Sequence, residues 1–257
     1  MRVARARSHI SPPSTDEWDD ERLVEGRAEA AEIKQEHLCG GMTASRVNGR
    51  LKDARPNWAR LAKMGLVSAF VLAVVSSGYD MERAWRAGPP PPCEMDNHAS
   101  MDAHGSFVSD ALQAALSSGA IACSSRQDLH CVLPLGVAEQ KSTGKLRLIF
   151  DARFVNEFLA EWKFKMETLQ KEGRHIFAGM RFGSILDISS AFHHIQMHHG
   201  SWKYLGFKFR GQYYHWRSLP FGLKTAPVVF SKVVQPIVGL WRRRGFRVLQ
   251  YLDDFPG

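Results

Sequence analysis

Large apolar side chains are sparse along residues 1–57 and become regularly spaced from Trp58 onward. Trp58, Leu61, Leu66, Phe70 and Val74 recur at roughly helical spacing, with Pro56 suited to a first turn and Gly78 to a stop, and predict one helix over residues 57–78. Phe107, Leu112, Ala115 and Leu116 predict a second helix over residues 106–118, ended by Gly119. The pattern then shortens. Runs at 130–137 and 145–151 flank the polar stretch Gln140-Lys141-Ser142-Thr143-Gly144 and predict a β-hairpin. Residues 202–218 predict another, turning at Arg210-Gly211, with the aromatic load that suits paired strands. Phe230, Val233, Val234, Ile237 and Trp241 mark a long helix with a bend expected at Pro236. Two more apolar runs, 183–188 and 246–252, read as strands, and each leads into acid: Asp187 in the first, Asp253-Asp254 after the second.

Outside these elements the chain is less specific. Ser14-Thr15-Asp16-Glu17 has the form of a capping box that opens a helix toward Gly40-Gly41. That segment has almost no apolar stripe, so it reads as a solvated helix or a disordered extension. Gly88-Pro89-Pro90-Pro91-Pro92 is a stiff extended spacer and marks the main boundary, with docking on an aromatic-lined adaptor as the alternative. Residues 158–182 are mixed in pattern.

Charge and cysteine narrow the classes. With 257 residues and a formal charge of +8, the chain can bury a sizeable core and suits a polyanionic partner. Cys39, Cys93, Cys123 and Cys131 form no Cys-x-x-Cys pair and read as reduced thiols, neither a disulfide framework nor a zinc site. The N-terminus has no apolar core of a secretory signal, and the most apolar run, 64–75, is too short to span a bilayer. An intracellular protein, cytoplasmic or nuclear and not in the membrane, is expected.

The acids carry the candidate chemistry. Adjacent carboxylates at a strand end repel unless a cation sits between them. Two strands that each lead into Asp can lie side by side and offer oxygen ligands to a pair of Mg²⁺ ions, the arrangement used for in-line displacement at phosphorus. The plainer reading of an isolated Asp-Asp is a turn with two exposed acids. His193-His194 and His198-His199 invite a metal reading too. On a strand, however, His194 and His198 share one face and His193 the other, so exposed or hydrogen-bonded histidines are the expectation. Arg242-Arg243-Arg244 can serve the helix dipole or meet phosphate, and the dipole is the simpler account.

Four motifs in order sharpen this. Lys145-x-Arg147-x-x-x-Asp151-x-Arg153-x-x-Asn156, Asp187-Ile188-Ser189-Ser190-Ala191-Phe192, Leu219-Pro220-Phe221-Gly222-Leu223-Lys224-Thr225-Ala226-Pro227 and Tyr251-Leu252-Asp253-Asp254 together resemble a reverse transcriptase. The flavour is that of DIRS-type retrotransposons, the tyrosine-recombinase retroelements. A lone Tyr-x-Asp-Asp is common by chance; the ordered set is far more specific. The resemblance covers residues 129–255 and extends thinly over 58–128.

The resemblance implies an α+β fold, a right-hand polymerase with a palm sheet that carries the carboxylates. Fingers would take about residues 104–182 and 204–219, and palm about 183–203 and 220–257. They would follow a polar extension (1–57) and a helical segment with its proline linker (58–103). It implies an RNA-directed DNA polymerase adding deoxynucleotides to a primer 3′-hydroxyl by a two-metal mechanism. Its partners would be an RNA or DNA template with primer and deoxynucleoside triphosphates. The implied ligands of two Mg²⁺ ions, with Mn²⁺ as a substitute, are Asp187, Asp253 and Asp254 and the carbonyl of Ile188. Lys141, Lys145 and Arg147 would grip the triphosphate, as arginine's fixed fork of donors suits phosphate. Read from the residues alone, Lys145 and Arg147 are equally the outward side chains of a half-exposed strand, opposite Leu146 and Leu148. Phe192 would block a ribose 2′-hydroxyl, and Phe221 and Gly222 would form the floor under the nucleotide and templating base, by van der Waals contact at Phe221. Thr225 would cap the following helix, with Pro227 in its first turn.

The sequence ends three residues after Asp254. The expectation is therefore a C-terminally truncated element with the thumb missing, an unpaired edge where the hairpin's returning strand belongs, and impaired activity. The alternative function is a catalytically inactive nucleic-acid-binding remnant of a retrotransposon polymerase. A third, a partner-binding role for residues 1–92, rests on composition.

Overall fold

The helix expected over residues 57–78 is two helices in the computed structural model, which describes residues 50–141, 143–179, 183–252 and 254–256. After a short α1 (Arg50–Asp53), α2 (Arg55–Lys63) carries Pro56 in its first turn. Gly65, at φ +69°, turns the chain, a conformation that costs a residue without Cβ little. Ser68 then accepts a hydrogen bond from Val71 N at 3.3 Å and opens α3 (Ala69–Ser77). Trp58, Leu61, Leu66 and Val74 all reach one core and Phe70 packs against it, which is why their spacing read as a single stripe. The capping box at 14–17 lies outside the described residues.

The proline run lies along the domain. His130 Nε2 is hydrogen-bonded to Pro90 O at 2.8 Å, and β1 (Cys93–Glu94) follows directly. Next come α4 (Ser100–Ala103), the expected α5 (Gly105–Ser117) and β2 (Ile121–Ser124). The run 130–137 is not one strand. It divides into β3 (Cys131–Val132) and β4 (Leu135–Gln140), because Pro134 between them has no N–H for a ladder. β4 pairs antiparallel with β5 (Lys145–Phe150), Gln140 opposite Lys145, as the hairpin pattern required. α6 (Arg153–Phe158) ends where the mixed stretch begins; that stretch holds α7 (Leu169–Ile176) and is followed by β6 (Ile185–Asp187). β7 (Gly206–Phe209) and β8 (Gln212–Trp216) form the second expected hairpin, and α8 (Ala226–Arg243) runs unbroken through Pro236 to a final β9 (Asp254–Pro256).

The strands make a five-stranded sheet, order β1-β3-β7-β8-β2, and two ribbons, β4-β5 and β6-β9. The architecture is α+β, as expected. Its core runs from Trp58 through Leu133, Phe150, Phe207, Leu219 and Phe230 to Phe255, so both sides of the proline run share it. No helix among the described residues is long and apolar enough to cross a membrane.

Three local expectations fail for identifiable reasons. Residues 193–199 are not a strand; short 3₁₀ turns span Ala191–His194 and His199–Tyr204, joined through single bridges at Gln196 and Met197. Burial still alternates over 194–198, with Ile195 and Met197 buried and His194, Gln196 and His198 half-buried, but Gln196 and Met197 bridge to different partners and neither bridge extends into a ladder. Thr225 stands at the N-cap of α8 but its side chain makes no capping bond, while Pro227 does sit in the first turn. Residues 246–252 do not form a strand. Among the described residues their backbone partner is the chain just beyond, through a Tyr251–Asp254 bridge and a bond from Leu249 N to Pro256 O.

Candidate active site

The two-stranded ribbon β6-β9 carries the acids. In its register Ile185 faces Pro256, Leu186 faces Phe255 and Asp187 faces Asp254. Directly opposed residues of an antiparallel pair project on one face with Cβ atoms about 5 Å apart. The strand expected beside β6 was the run entering the Tyr-x-Asp-Asp box; the strand found there is the one leaving it. The returning strand expected to be missing therefore begins within the chain, at Asp254, and the predicted unpaired edge is occupied. Tyr251 and Asp254 exchange backbone hydrogen bonds of 3.0 and 2.9 Å across the turn, and Leu252 holds φ +50°, a conformation uncommon for a side chain of its kind. Asp253 lies outside the described residues.

The ribbon's anchor is Phe255, 1% exposed, whose ring meets Trp241 of α8 edge-on at 6.0 Å. The rest of it is open. Ile185 is 73% exposed, and Asp187 and Asp254 are both exposed, with Ile188 half-buried. Like charges placed opposite each other destabilise a ladder. Among the described residues neither carboxylate has an ion-pair partner. A divalent cation is the natural counter-charge for such a pair, so the donors present fit one. No three His, Cys, Asp or Glu side chains gather as a metal-holding group among the described residues.

A second group surrounds Phe192. Its ring, 8% exposed, stacks on Phe221 at 4.7 Å and 29°, and leans on Phe230 at 5.5 Å. Phe221 is half exposed, so the pair presents one apolar face outward. The turn that carries Phe221 is fastened to α6. Asn156 Nδ2 donates to Gly222 O at 2.8 Å, and Lys224 N donates to Asn156 Oδ1 at 2.7 Å. Gly222 has φ +99°, and a Cβ there would stand 2.4 Å from Phe150 O, so the turn needs glycine on two counts. His193 packs behind, its ring 5.6 Å from Phe221 and 5.3 Å from Trp216. Burial, and secondarily the neighbouring His194, push its pKa down to about 4, so the ring is neutral near pH 7.

The basic candidates stand on the β4-β5 ribbon. Lys145, Arg147 and Ile149 are exposed on one side of β5, and Leu146, Leu148 and Phe150 turn inward, as the alternation required. Arg147 Nη2 donates to Gln140 Oε1 at 3.3 Å, and Lys141 sits exposed in the turn. At the strand's end Asp151 is held well below the usual carboxylate range, first by its hydrogen bonds from Arg153, with His98 adding to them. No three of the four histidines form a metal-holding group among the described residues, although the rings of His198 and His199 lie 4.2 Å apart. His193 is packed as described, His194 Nε2 lies 3.2 Å from Ser189 O, and His198 Nδ1 accepts from Gly200 N at 3.3 Å.

Thus Asp187 meets Asp254, and Phe192 meets Phe221 beside Gly222. Lys141, Lys145 and Arg147 form a separate basic strip. Sequence reasoning passed over three residues that build the site. Asn156 was visible in its motif but had no role assigned. His193 was set on the face opposite His194 and His198 by the strand reading, but its packing against Phe221 and Trp216 had no local signal. Glu167 had no local signal at all, since its partners Arg242 and Gln250 lie 75 and 83 residues away.

Comparison with known proteins adds likenesses of sequence and of fold. Residues 139–256 match the family model for reverse transcriptase (RNA-dependent DNA polymerase). The genome polyprotein of Petunia vein clearing virus is 33% identical over 115 residues, covering 43% of this chain and 5% of that polyprotein. The retrovirus-related Pol polyprotein from transposon 412 of Drosophila melanogaster is 34% identical over 94 residues, 35% of this chain and 7% of its own length. The crystal structure of the Prototype Foamy Virus protease-reverse transcriptase superposes with TM-score 0.53 at 18% identity, over 70% of this chain and 22% of that one, a likeness of fold. Residues 139–256 are thus similar in sequence to the reverse transcriptase domains of viral and transposon polyproteins. The chain spans a small fraction of the polyproteins it resembles.

Proposed function

We propose that this chain is the core of an RNA-directed DNA polymerase that adds deoxynucleotides to a primer 3′-hydroxyl. The observation that carries the reading is the register of β6 and β9, which sets Asp187 opposite Asp254 with no basic partner among the described residues. Asp187, Asp254 and Asp253, with the carbonyl of Ile188, would hold two Mg²⁺ ions. Bound there, the ions supply a lowered pKa for the primer hydroxyl and a counter-charge for the phosphoryl group in transfer. Asp187 and Asp254 orient by their fixed opposition across the ribbon. Arg147, Lys145 and Lys141 neutralise the triphosphate and fix its approach. Phe192, backed by Phe221, fills the space a 2′-hydroxyl needs, so deoxynucleotides are favoured by shape. Gly222 lets the nucleotide lie close to the backbone.

In this proposal fingers take residues 104–182 and 204–219, and palm takes 183–203 and 220–257. The spelling of the Leu219-Pro220-Phe221-Gly222-Leu223 and Tyr251-Leu252-Asp253-Asp254 motifs supports a DIRS-type source. The test is primer extension on an RNA template with Mg²⁺, beside Asp187→Asn and Asp253→Asn. Incorporation lost in both variants supports the polymerase. No incorporation by the unmodified chain, with template still bound in a salt-sensitive way, replaces it with a nucleic-acid-binding remnant.

A further inference from the structure

The segment that feeds the Tyr-x-Asp-Asp turn lies beside a partner that is not a strand. Along residues 248–251, Leu249 N donates to Pro256 O at 2.9 Å and Tyr251 N donates to Asp254 O at 3.0 Å, both toward β9. The opposite edge presents Val248 O and Gln250 N. In an extended chain these two groups, two residues apart, point the same way and normally pair with a neighbouring strand. Here side chains take them. Arg242, in the last turn of α8, donates to Val248 O from Nε at 3.0 Å and from Nη2 at 2.8 Å. Gln250 N donates to Glu167 Oε2 at 2.8 Å, and Arg242 Nη2 closes the set on the same Oε2 at 2.6 Å. Gln250 adds a tie of its own, Nε2 to Ser231 O at 3.1 Å.

We infer that Glu167 and Arg242 are a positioning pair that stands in for an edge strand and sets where the carboxylate turn is held; the inference rests on the polymerase reading above. The pair supplies one acceptor and one forked donor at the spacing an antiparallel neighbour would supply. Among the described residues it touches no acid of the site and acts through the backbone of Val248 and Gln250. Its side chains are 39% and 33% exposed for Arg242 and Glu167, so the core does not depend on them. What depends on them is the lateral position of the run that leads into Tyr251, and through it the face on which Asp254 meets Asp187. This also assigns Arg242 a task that neither the helix dipole nor a phosphate contact describes.

The test compares Arg242→Ala, Glu167→Ala, their double variant and Glu167→Gln, which keeps an acceptor for Gln250 N. Single-nucleotide addition is followed on a primed RNA template, and backbone amide exchange is read at Gln250. The two alanine variants are expected to lower kcat on the order of 10- to 100-fold, with KM for the nucleotide and template affinity within about twofold. The double variant is expected to lose no more than either single one, since each breaks the same unit. Glu167→Gln is expected to recover most of the rate. Gln250 exchange is expected to quicken in Glu167→Ala while β7 and β8 keep their protection. Unchanged kcat, a loss confined to KM or template affinity, additive losses, or unchanged Gln250 exchange would each overturn the inference. If the unmodified chain adds no nucleotide, the polymerase reading fails first. Gln250 exchange then still decides whether the pair holds the segment.

Discussion

The turn at 219–223 and the β6-β9 ribbon both carry residues of the proposed site, yet they are held by different means. The turn is built into the core. Leu219 and Leu223 are buried, Phe221 rests on Phe192, and Asn156 bonds Gly222 O and Lys224 N. The ribbon is three residue pairs wide, with Ile185 and Leu186 exposed and Phe255 as its buried anchor. A nucleotide floor has to be a fixed shape, and packing density supplies that. In the proposed site a pair of like charges would have to be held against its own repulsion until a cation arrives, and the hydrogen bonds that Arg242 donates to Val248 O and that Glu167 accepts from Gln250 N would supply the restraint from outside.

The strongest way to separate the two regions is Asp187→Asn. Nucleotide addition is expected to fall to the uncatalysed background. Folding stability, measured by urea unfolding, is expected to hold or rise by up to about 1 kcal/mol, because a like-charge pair is relieved. A drop in both would mean that Asp187 is a structural residue.

Next is a contrast of two core substitutions. Phe255→Ala removes the ribbon's anchor, a change that typically costs about 3–5 kcal/mol. Most of it should appear as faster amide exchange along Ile185–Asp187, with a smaller shift in the global unfolding midpoint. Gly222→Ala places a Cβ against Phe150 O in a backbone conformation that disfavours it. It should cost about 3 kcal/mol and shift the global midpoint instead. Equal global shifts in the two variants would erase the distinction between the regions.

A third test uses pH. His193 binds its proton less readily folded than unfolded, with a folded pKa of about 4 against an ordinary value near 6.5. Between those values the unfolded chain holds more protons, so stability rises with pH through this window and is lost as pH falls from 6.5 toward 4. The change is at most about 3 kcal/mol. His193→Phe should flatten that slope in urea unfolding at a series of pH values. A slope that survives the substitution assigns the titration to another group.

The smallest expected effect is at the basic strip. Arg147→Ala should raise KM for the nucleotide by roughly 10- to 100-fold, the worth of a charge-assisted hydrogen bond, and leave stability unchanged because the side chain is exposed. An unchanged KM would remove Arg147 from the nucleotide's contacts.

Much of this was legible in the chain, and the failures have physical causes. Both hairpins, α5 and α8 follow from periodicity with turn residues at their ends, and the motif order located the acids and Phe192. The exposed face of β5 followed from simple alternation. The single helix over 57–78 failed because two helices separated by Gly65 still point their apolar residues at one core. The partner of β6 was misassigned because the arm that pairs, Asp254-Phe255-Pro256, is too short and carries too few apolar residues to read as a strand beside the longer run 246–252. Only the turn at Leu252, with its positive φ, decides that Asp254 starts the arm that pairs. Glu167 and Arg242 were invisible because a long-range ion pair leaves no periodic trace.

The central claim is that the opposed carboxylates hold a pair of divalent cations, and Mn²⁺ binding tests it most directly. The measurement is electron paramagnetic resonance on the chain with a primed template, a chain-terminated primer and the matching deoxynucleotide. The account predicts two bound Mn²⁺ per chain, with Asp187→Asn and Asp254→Asn each losing binding while remaining folded. Mn²⁺ bound equally well by both variants would contradict it.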